Sequence, residues 1–279
     1  MKSRTRTRRR QYWLLLLCAC LATVVVLAQS RGRRRGPVYE RGNVPQWQLE
    51  PEFARDSFTF ARIKYRSTVD RSSYAWWTDY PDADLNFSWR LHQLTAMRVQ
   101  PDPKVIELTD KELFDYPFIF MSGVPAIVLS EEEVDALRRY LLSGGFLMVD
   151  DFWGEEDWEY FSREVIRRVF PGREPEELPP EHPIFHCVFD LKEKPQIPNV
   201  YFATRYRETG ITWEKPDAKE PHYRALYDDK RRMMALICHN TDLGDGWEEE
   251  ATDPYYFVTF SEPKAYPLGI NILFYAMTH

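Results

Sequence analysis

The sequence predicts an α/β domain: a mainly parallel sheet with helices on both faces, interrupted by a proline-rich irregular excursion and followed by a late β-hairpin. Three observations carry that expectation. Phe118 to Met121 and Phe146 to Val149 are apolar at every position, as in strands covered on both faces. These runs alternate with segments whose apolar residues recur at helical spacing. Between them Ser130 and Glu133 form a capping box, and Val134, Leu137 and Leu141 make one apolar face that Gly144-Gly145 ends.

The elements follow in order. Residues 36–52 carry Gly36, Pro37, Gly42, Pro45 and Pro51 and predict a linker, so the domain is expected over residues 53–279. Phe58 to Tyr65 alternates and reads as the first strand. From Asp82 to Met97, Leu85, Phe87, Trp89, Leu91 and Leu94 suit a helix with Pro81 in its first turn and Asp79 or Asp82 as its cap. Val105 to Leu108 is a second strand, and Ser122-Gly123 ends the third. Trp158, Phe161, Val165 and Val169 share a helical face that Pro171-Gly172 terminates. Nine of the 20 prolines then fall between Pro171 and His222, which predicts irregular chain. Tyr223 to Tyr227 and Met233 to Cys238, joined by Asp228-Asp229-Lys230, read as a hairpin. Tyr255 to Phe260 suggests a further strand, and Pro267 opens a last helix through Ile270, Leu273, Phe274 and Met277.

Charge divides the chain. Ten of the 37 Lys and Arg lie in residues 1–35, which hold no acid, leaving 27 against 43 acids beyond, a net of -16. Such a body repels polyanions, so no nucleic-acid partner is expected. The basic residues flank an uncharged, Leu- and Val-rich run of 17 residues from Tyr12 to Ala28. That pattern predicts a signal peptide or membrane anchor, hence a membrane partner and a membrane-anchored or periplasmic, extracytoplasmic protein. Cys18 and Cys20 belong to this segment; Cys187 and Cys238 are too few for a disulfide scaffold and are expected to be buried.

The stretch from Gly144 to Gly154, GGFLMVDDFWG, drives an apolar strand into two adjacent acids. Asp151 suits a helix cap, but a second carboxylate beside it calls for a cation, a basic side chain or a shared proton. Asp79, Asp82 and Asp84, and Asp242 and Asp245 with Gly244 and Gly246, offer further oxygen ligands. His182 and His186 bracket Pro183, which favours a turn over a metal clamp. Trp76, Trp77 and Tyr80 suit a core or a sugar face. The candidate ligand-binding residues are therefore Asp79, Asp82, Ser122, Asp150, Asp151, Trp153, His239, Asn240 and Asp242, with Asp150, Asp151 and Asp242 as metal ligands should a divalent cation be the cofactor.

Several separated motifs agree in order with one family. They are Trp76 to Asn86, GGFLMVDDFWG, His182 to His186, His239 to Trp247 and the closing Asn271 to His279. Together they resemble the bacterial domain of unknown function 4159 family from about Phe58 onward. The resemblance implies a flavodoxin-like architecture, akin to class I glutamine amidotransferase domains, in a cell-envelope setting, and it implies no activity. Where the amidotransferase elbow presents Cys or Ser, this chain has Asp150 and Asp151. The expected function is a noncatalytic ligand- or protein-binding module with an acidic cleft and an envelope partner. The alternative is a metal-dependent hydrolase on the same carboxylates, with His239 or His186 as ligand or base.

Overall fold

The two apolar runs, each with one residue more at its C-terminal end, pair in parallel as β4 (Phe118–Ser122) and β6 (Phe146–Asp150), Phe118 beside Phe146 and Ser122 beside Asp150. The computed structural model describes residues 43–50, 56–68 and 75–279. Among them the other strands are β1 (Ala61–Ile63), β2 (Arg66–Ser67), β3 (Lys104–Ile106), β5 (Ile127–Val128), β7 (Glu176–Glu177), β8 (His222–Tyr227) and β9 (Met233–His239). The central sheet has the order β3-β1-β4-β6-β9-β8-β7, parallel from β3 to β9 and antiparallel beyond; β2 and β5 form a separate antiparallel pair. Counting only the parallel strands, the order is 2-1-3-4-5, the flavodoxin-like arrangement, with its switch point between β1 and β4.

The helices are α1 (Asp82–Leu94), α2 (Glu131–Leu142), α3 (Gly154–Phe161), α4 (Val200–Arg205), α5 (Leu243–Glu248) and α6 (Tyr266–Thr278), with shorter turns between. Side chains alternate across each strand, so the sheet buries two cores. Phe60, Phe118, Phe120, Phe146 and Met148 pack with Phe87 of α1, Trp247 of α5 and Ile270 and Leu273 of α6. Ala61, Ile119, Met121, Leu147 and Val149 pack on the opposite side with Val134, Leu137 and Leu141 of α2 and Phe161 of α3. The capping box of α2 is present as expected: Ser130 Oγ accepts from the Glu133 amide at 3.2 Å, and Glu133 accepts from the Ser130 amide at 2.6 Å.

The hairpin forms as predicted, with Asp228 accepting from the amides of Lys230 and Arg232. Tyr255 to Phe260 is not a strand. Asp253 accepts from the Tyr255 and Tyr256 amides, Pro254 sits at the first helical position, and the chain winds as a π-helix over Phe257–Ala265 into α6. The local cap overrides the aromatic strand propensity. Cys238 is buried, but Cys187 is exposed and both are free thiols. Within the segment read as linker, Trp47 stacks on His92 and donates to the Val99 carbonyl at 2.7 Å. The Tyr12 to Ala28 run lies outside the described residues, among which no helix is long and apolar enough to cross a membrane.

Candidate functional site

Ligands of open α/β sheets gather beyond the carboxyl ends of the strands, near the switch point. Here that end is lined with acids. Ser122 ends β4, Asp150 ends β6 with Asp151 next, Asp242 follows β9, and Asp79 arrives from the loop before α1. Asp79, Asp150, Asp151, Asp242 and Asp245 are all buried, and Glu248 is half-buried. Three of the four non-glycine residues with left-handed backbone among the described residues lie here: Asp79, Asp151 and Asn240, at φ of 62°, 58° and 62°. Such strain persists only where surrounding structure imposes it.

Gly244 is the point about which the acids are arranged. Its amide donates to Asp150 Oδ2 at 2.9 Å, and a Cβ there would fall 2.2 Å from Asp79 Oδ2 and 3.4 Å from Asp242 Oδ1. Only glycine lets these carboxyls approach the backbone so closely. Ser122 Oγ donates to Asp79 Oδ2 across a long 3.4 Å. Asp242 caps α5, its Oδ1 accepting from the Asp245 amide at 2.8 Å, and Asp245 Oδ2 accepts from the Val200 amide at 2.8 Å. Asp150 Oδ1 is fully buried and has no hydrogen-bond partner among the described residues.

These environments push the acids toward their neutral forms. Burial raises Asp79 to about 6, against the opposing pull of Arg62. Burial, then the neighbouring Asp79, raises Glu248 to about 8. Asp150, Asp151, Asp242 and Asp245 are all driven well above the usual carboxylate range, by burial first and then by a neighbouring acid, which is Asp79 for Asp150, Asp151 and Asp245 and Asp151 for Asp242. The counter-charge is elsewhere. Arg62 is the only fully buried Lys or Arg among the described residues, and Asp84 of α1 takes it through Nε and Nη2 while Nη1 donates to the Trp76 and Thr78 carbonyls.

Several expectations are corrected here. Asp151 caps nothing: α3 begins at Gly154, and Trp153 holds the cap position without a side-chain bond. Asp79 and Asp82 do not cap α1 through their side chains either, because Pro81 occupies that position. Asp84, a possible cation ligand by sequence, is committed to Arg62. Trp153 is buried rather than lining a cleft. The three acids whose ligand atoms all lie within 4.8 Å of one another are Asp79, Asp245 and Glu248, not Asp150, Asp151 and Asp242. Glu248 was missed, although Asp245 and Glu248 stand three residues apart, on one face of a helix.

His239 and Asn240 belong to a different neighbourhood, the N-terminus of α3. Asn240 Oδ1 accepts from the Gly154 amide at 2.8 Å, Asp217 Oδ2 from the Glu155 amide at 3.0 Å and Asp157 Oδ2 from the Trp153 amide at 3.1 Å. Gly154 is required there: at φ 79° its missing Cβ would lie 2.8 Å from Asp217 Oδ1. His239 Nε2 meets the Gly154 carbonyl at 3.0 Å, while Nδ1 accepts from Arg224, whose guanidinium lies 4.0 Å over the Trp158 ring. Burial holds this imidazole neutral, down to about 3. Helix N-termini commonly bind anions, but in this one the chain supplies its own acceptors.

The remaining motifs have local roles. His182 Nδ1 accepts from the Ile184 amide, and His186 pairs with Asp190 at 2.7 Å, so the two shape a turn. Trp76 and Tyr80 are half-buried, and Trp77 is 44% exposed. Beside the acids lies an open cleft of about 290 Å³ lined by Asp82, Asn86, Trp89 and Glu248 together with Asn43 and Glu250. Glu250 is held by Arg90 and Tyr266; Asn86 donates to the Trp247 carbonyl at 2.8 Å.

The fold and the strand-end acids define a flavodoxin-like α/β domain with an acidic carboxyl end to its sheet. The family model described as a domain of unknown function, DUF4159, matches residues 59–277, and the chain belongs to that family. No curated protein matches it.

Proposed function

We propose that this protein is a noncatalytic binding module of the bacterial cell envelope, exported or membrane-anchored, whose strand-end pocket takes a positively charged ligand. The observation that carries the reading is the charge imbalance: six carboxyls meet at one strand end, and the buried guanidinium beside them is committed to Asp84. Like charges in low dielectric need a cation or bound protons, and a ligand that brings positive charge releases that stress. One of the six, Glu248, lines the open cleft of about 290 Å³. The envelope setting rests on the basic residues flanking Tyr12 to Ala28.

A hydrolase that used His239 or His186 as ligand or base would need a free imidazole nitrogen. His239 has both nitrogens engaged, and His186 is held by Asp190 and the Pro180 carbonyl. The test is thermal unfolding of the full-length chain with calcium, magnesium, spermidine and a Lys-rich peptide, beside Glu248→Gln and Asp79→Asn. At least one positively charged probe raises Tm in the wild type by several degrees, and the variants lose the rise. If no such probe moves Tm, the reading is wrong.

A further inference from the structure

Resting on that reading, we infer that Asp79, Asp245 and Glu248 form the site of one hard divalent cation, with Asp150 completing the acidic wall behind it. Geometry is the first support. Oxygens bound to one calcium ion lie at about 2.3 to 2.6 Å from it, so any two are separated by at most about 5 Å. The ligand atoms of Asp79, Asp245 and Glu248 fall within 4.8 Å of one another. They come from two rigid sources: Asp245 and Glu248 from one face of α5, and Asp79 from a left-handed residue pressed against Gly244.

Asp150 is the second and independent support. Its Oδ2 is fixed by the amide of Gly244, the residue against which Asp79 is pressed, at 2.9 Å, and its Oδ1 is buried with no hydrogen-bond partner among the described residues. An orphaned buried carboxylate oxygen costs more than about 1 to 3 kcal/mol, a cost that positive charge held close to it offsets. A proton shared between Asp150 and Asp79 is the competing occupant, and it is the one the experiment must exclude.

The donor set names the class of metal. Every group that converges is an oxygen, and His239 at the end of β9 has both nitrogens bonded. Calcium, magnesium or manganese suits such a site, whereas zinc and copper favour nitrogen and sulfur. Half-buried Glu248 also lines the open cleft of about 290 Å³, so one member of the group faces solvent-accessible space.

The test is calorimetric titration of the full-length chain, stripped with chelator, with calcium, magnesium and manganese, and in parallel with spermidine. One ion binds per chain; Glu248→Gln weakens it by about tenfold or more, and Asp79→Asn and Asp245→Asn abolish it. Asp229→Asn, an exposed acid paired with Arg173, leaves it unchanged. Glu248→Gln is the decisive variant because that half-buried position tolerates the amide even if the buried sites do not fold. Spermidine binding without metal binding overturns this inference while sparing the broader reading, and binding of neither overturns both. Metal binding indifferent to Glu248→Gln places the ion elsewhere and overturns the site.

Discussion

Two neighbourhoods at the carboxyl end of the sheet use the same residue types to opposite ends. At the start of α3, Asp157, Asp217 and Asn240 each accept from a backbone amide, and His239 bridges a carbonyl and a guanidinium. Around Gly244, six carboxyls crowd together, one of their oxygens has no hydrogen-bond partner among the described residues, and the buried guanidinium has gone to Asp84. A fully partnered polar network fixes a backbone, whereas a mismatched one at a strand end marks a place that something else completes. That difference is why the proposed cation site falls at Gly244 rather than at the α3 terminus, although parallel-sheet folds so often bind anions at such a terminus.

The sharpest way to press that comparison is through the Arg62–Asp84 pair, the satisfied counterpart of the unsatisfied acids. Asp84→Asn leaves a fully buried guanidinium without its counter-charge and lowers unfolding free energy in urea by about 3 to 5 kcal/mol. Asn240→Ala follows, because it strips the Gly154 amide and the Glu220 carbonyl of their partners at a residue with φ 62°; denaturant unfolding records a loss of about 2 kcal/mol or more. Glu248→Gln stands at the other extreme. In chelator it changes stability by less than about 1 kcal/mol, in the stabilising direction, since it removes one of several repelling carboxyls. A large loss on Glu248→Gln would erase the distinction between the two regions.

The pH dependence separates them by sign. His239 titrates near 6.5 when unfolded but is held down to about 3 by burial, so the unfolded chain takes up a proton that the folded one refuses. Its contribution is complete above pH 6.5 and is lost as pH falls from there toward 3. The stability advantage of wild type over His239→Gln therefore shrinks by up to about 1.4 kcal/mol per pH unit in that window. Asp150, Asp151 and Asp242, raised by burial, act in the opposite sense: they favour folding at low pH and lose that contribution as pH climbs through their folded values. Unfolding curves between pH 4 and 8 measure both.

Much of the scaffold could be read before any coordinates. Apolar runs without alternation identified β4 and β6, and Ser130 with Glu133 located α2, because strand burial and helix caps are written in short local patterns. The aromatic run from Tyr255 failed because Asp253 and Pro254, just before it, start a helix. At the site, Asp79, Asp150, Asp151 and Asp242 were legible as acids at element ends. What they do was not: pairing Arg62 with Asp84 depends on a contact across 22 residues, and Asp151 lost its expected cap because the helix starts three residues later. Glu248 joined the group only through the way α5 turns Gly244 toward Asp79, and that is a tertiary fact.

The account turns on whether a cation completes the Gly244 neighbourhood, and a crystal of the full-length chain grown with manganese answers it most directly. An anomalous-difference map is predicted to show one peak within about 2.0 to 2.6 Å of carboxylate oxygens from Asp79, Asp245 and Glu248. A pocket without a peak, with Asp79 and Asp150 drawn together on a shared proton, would contradict it.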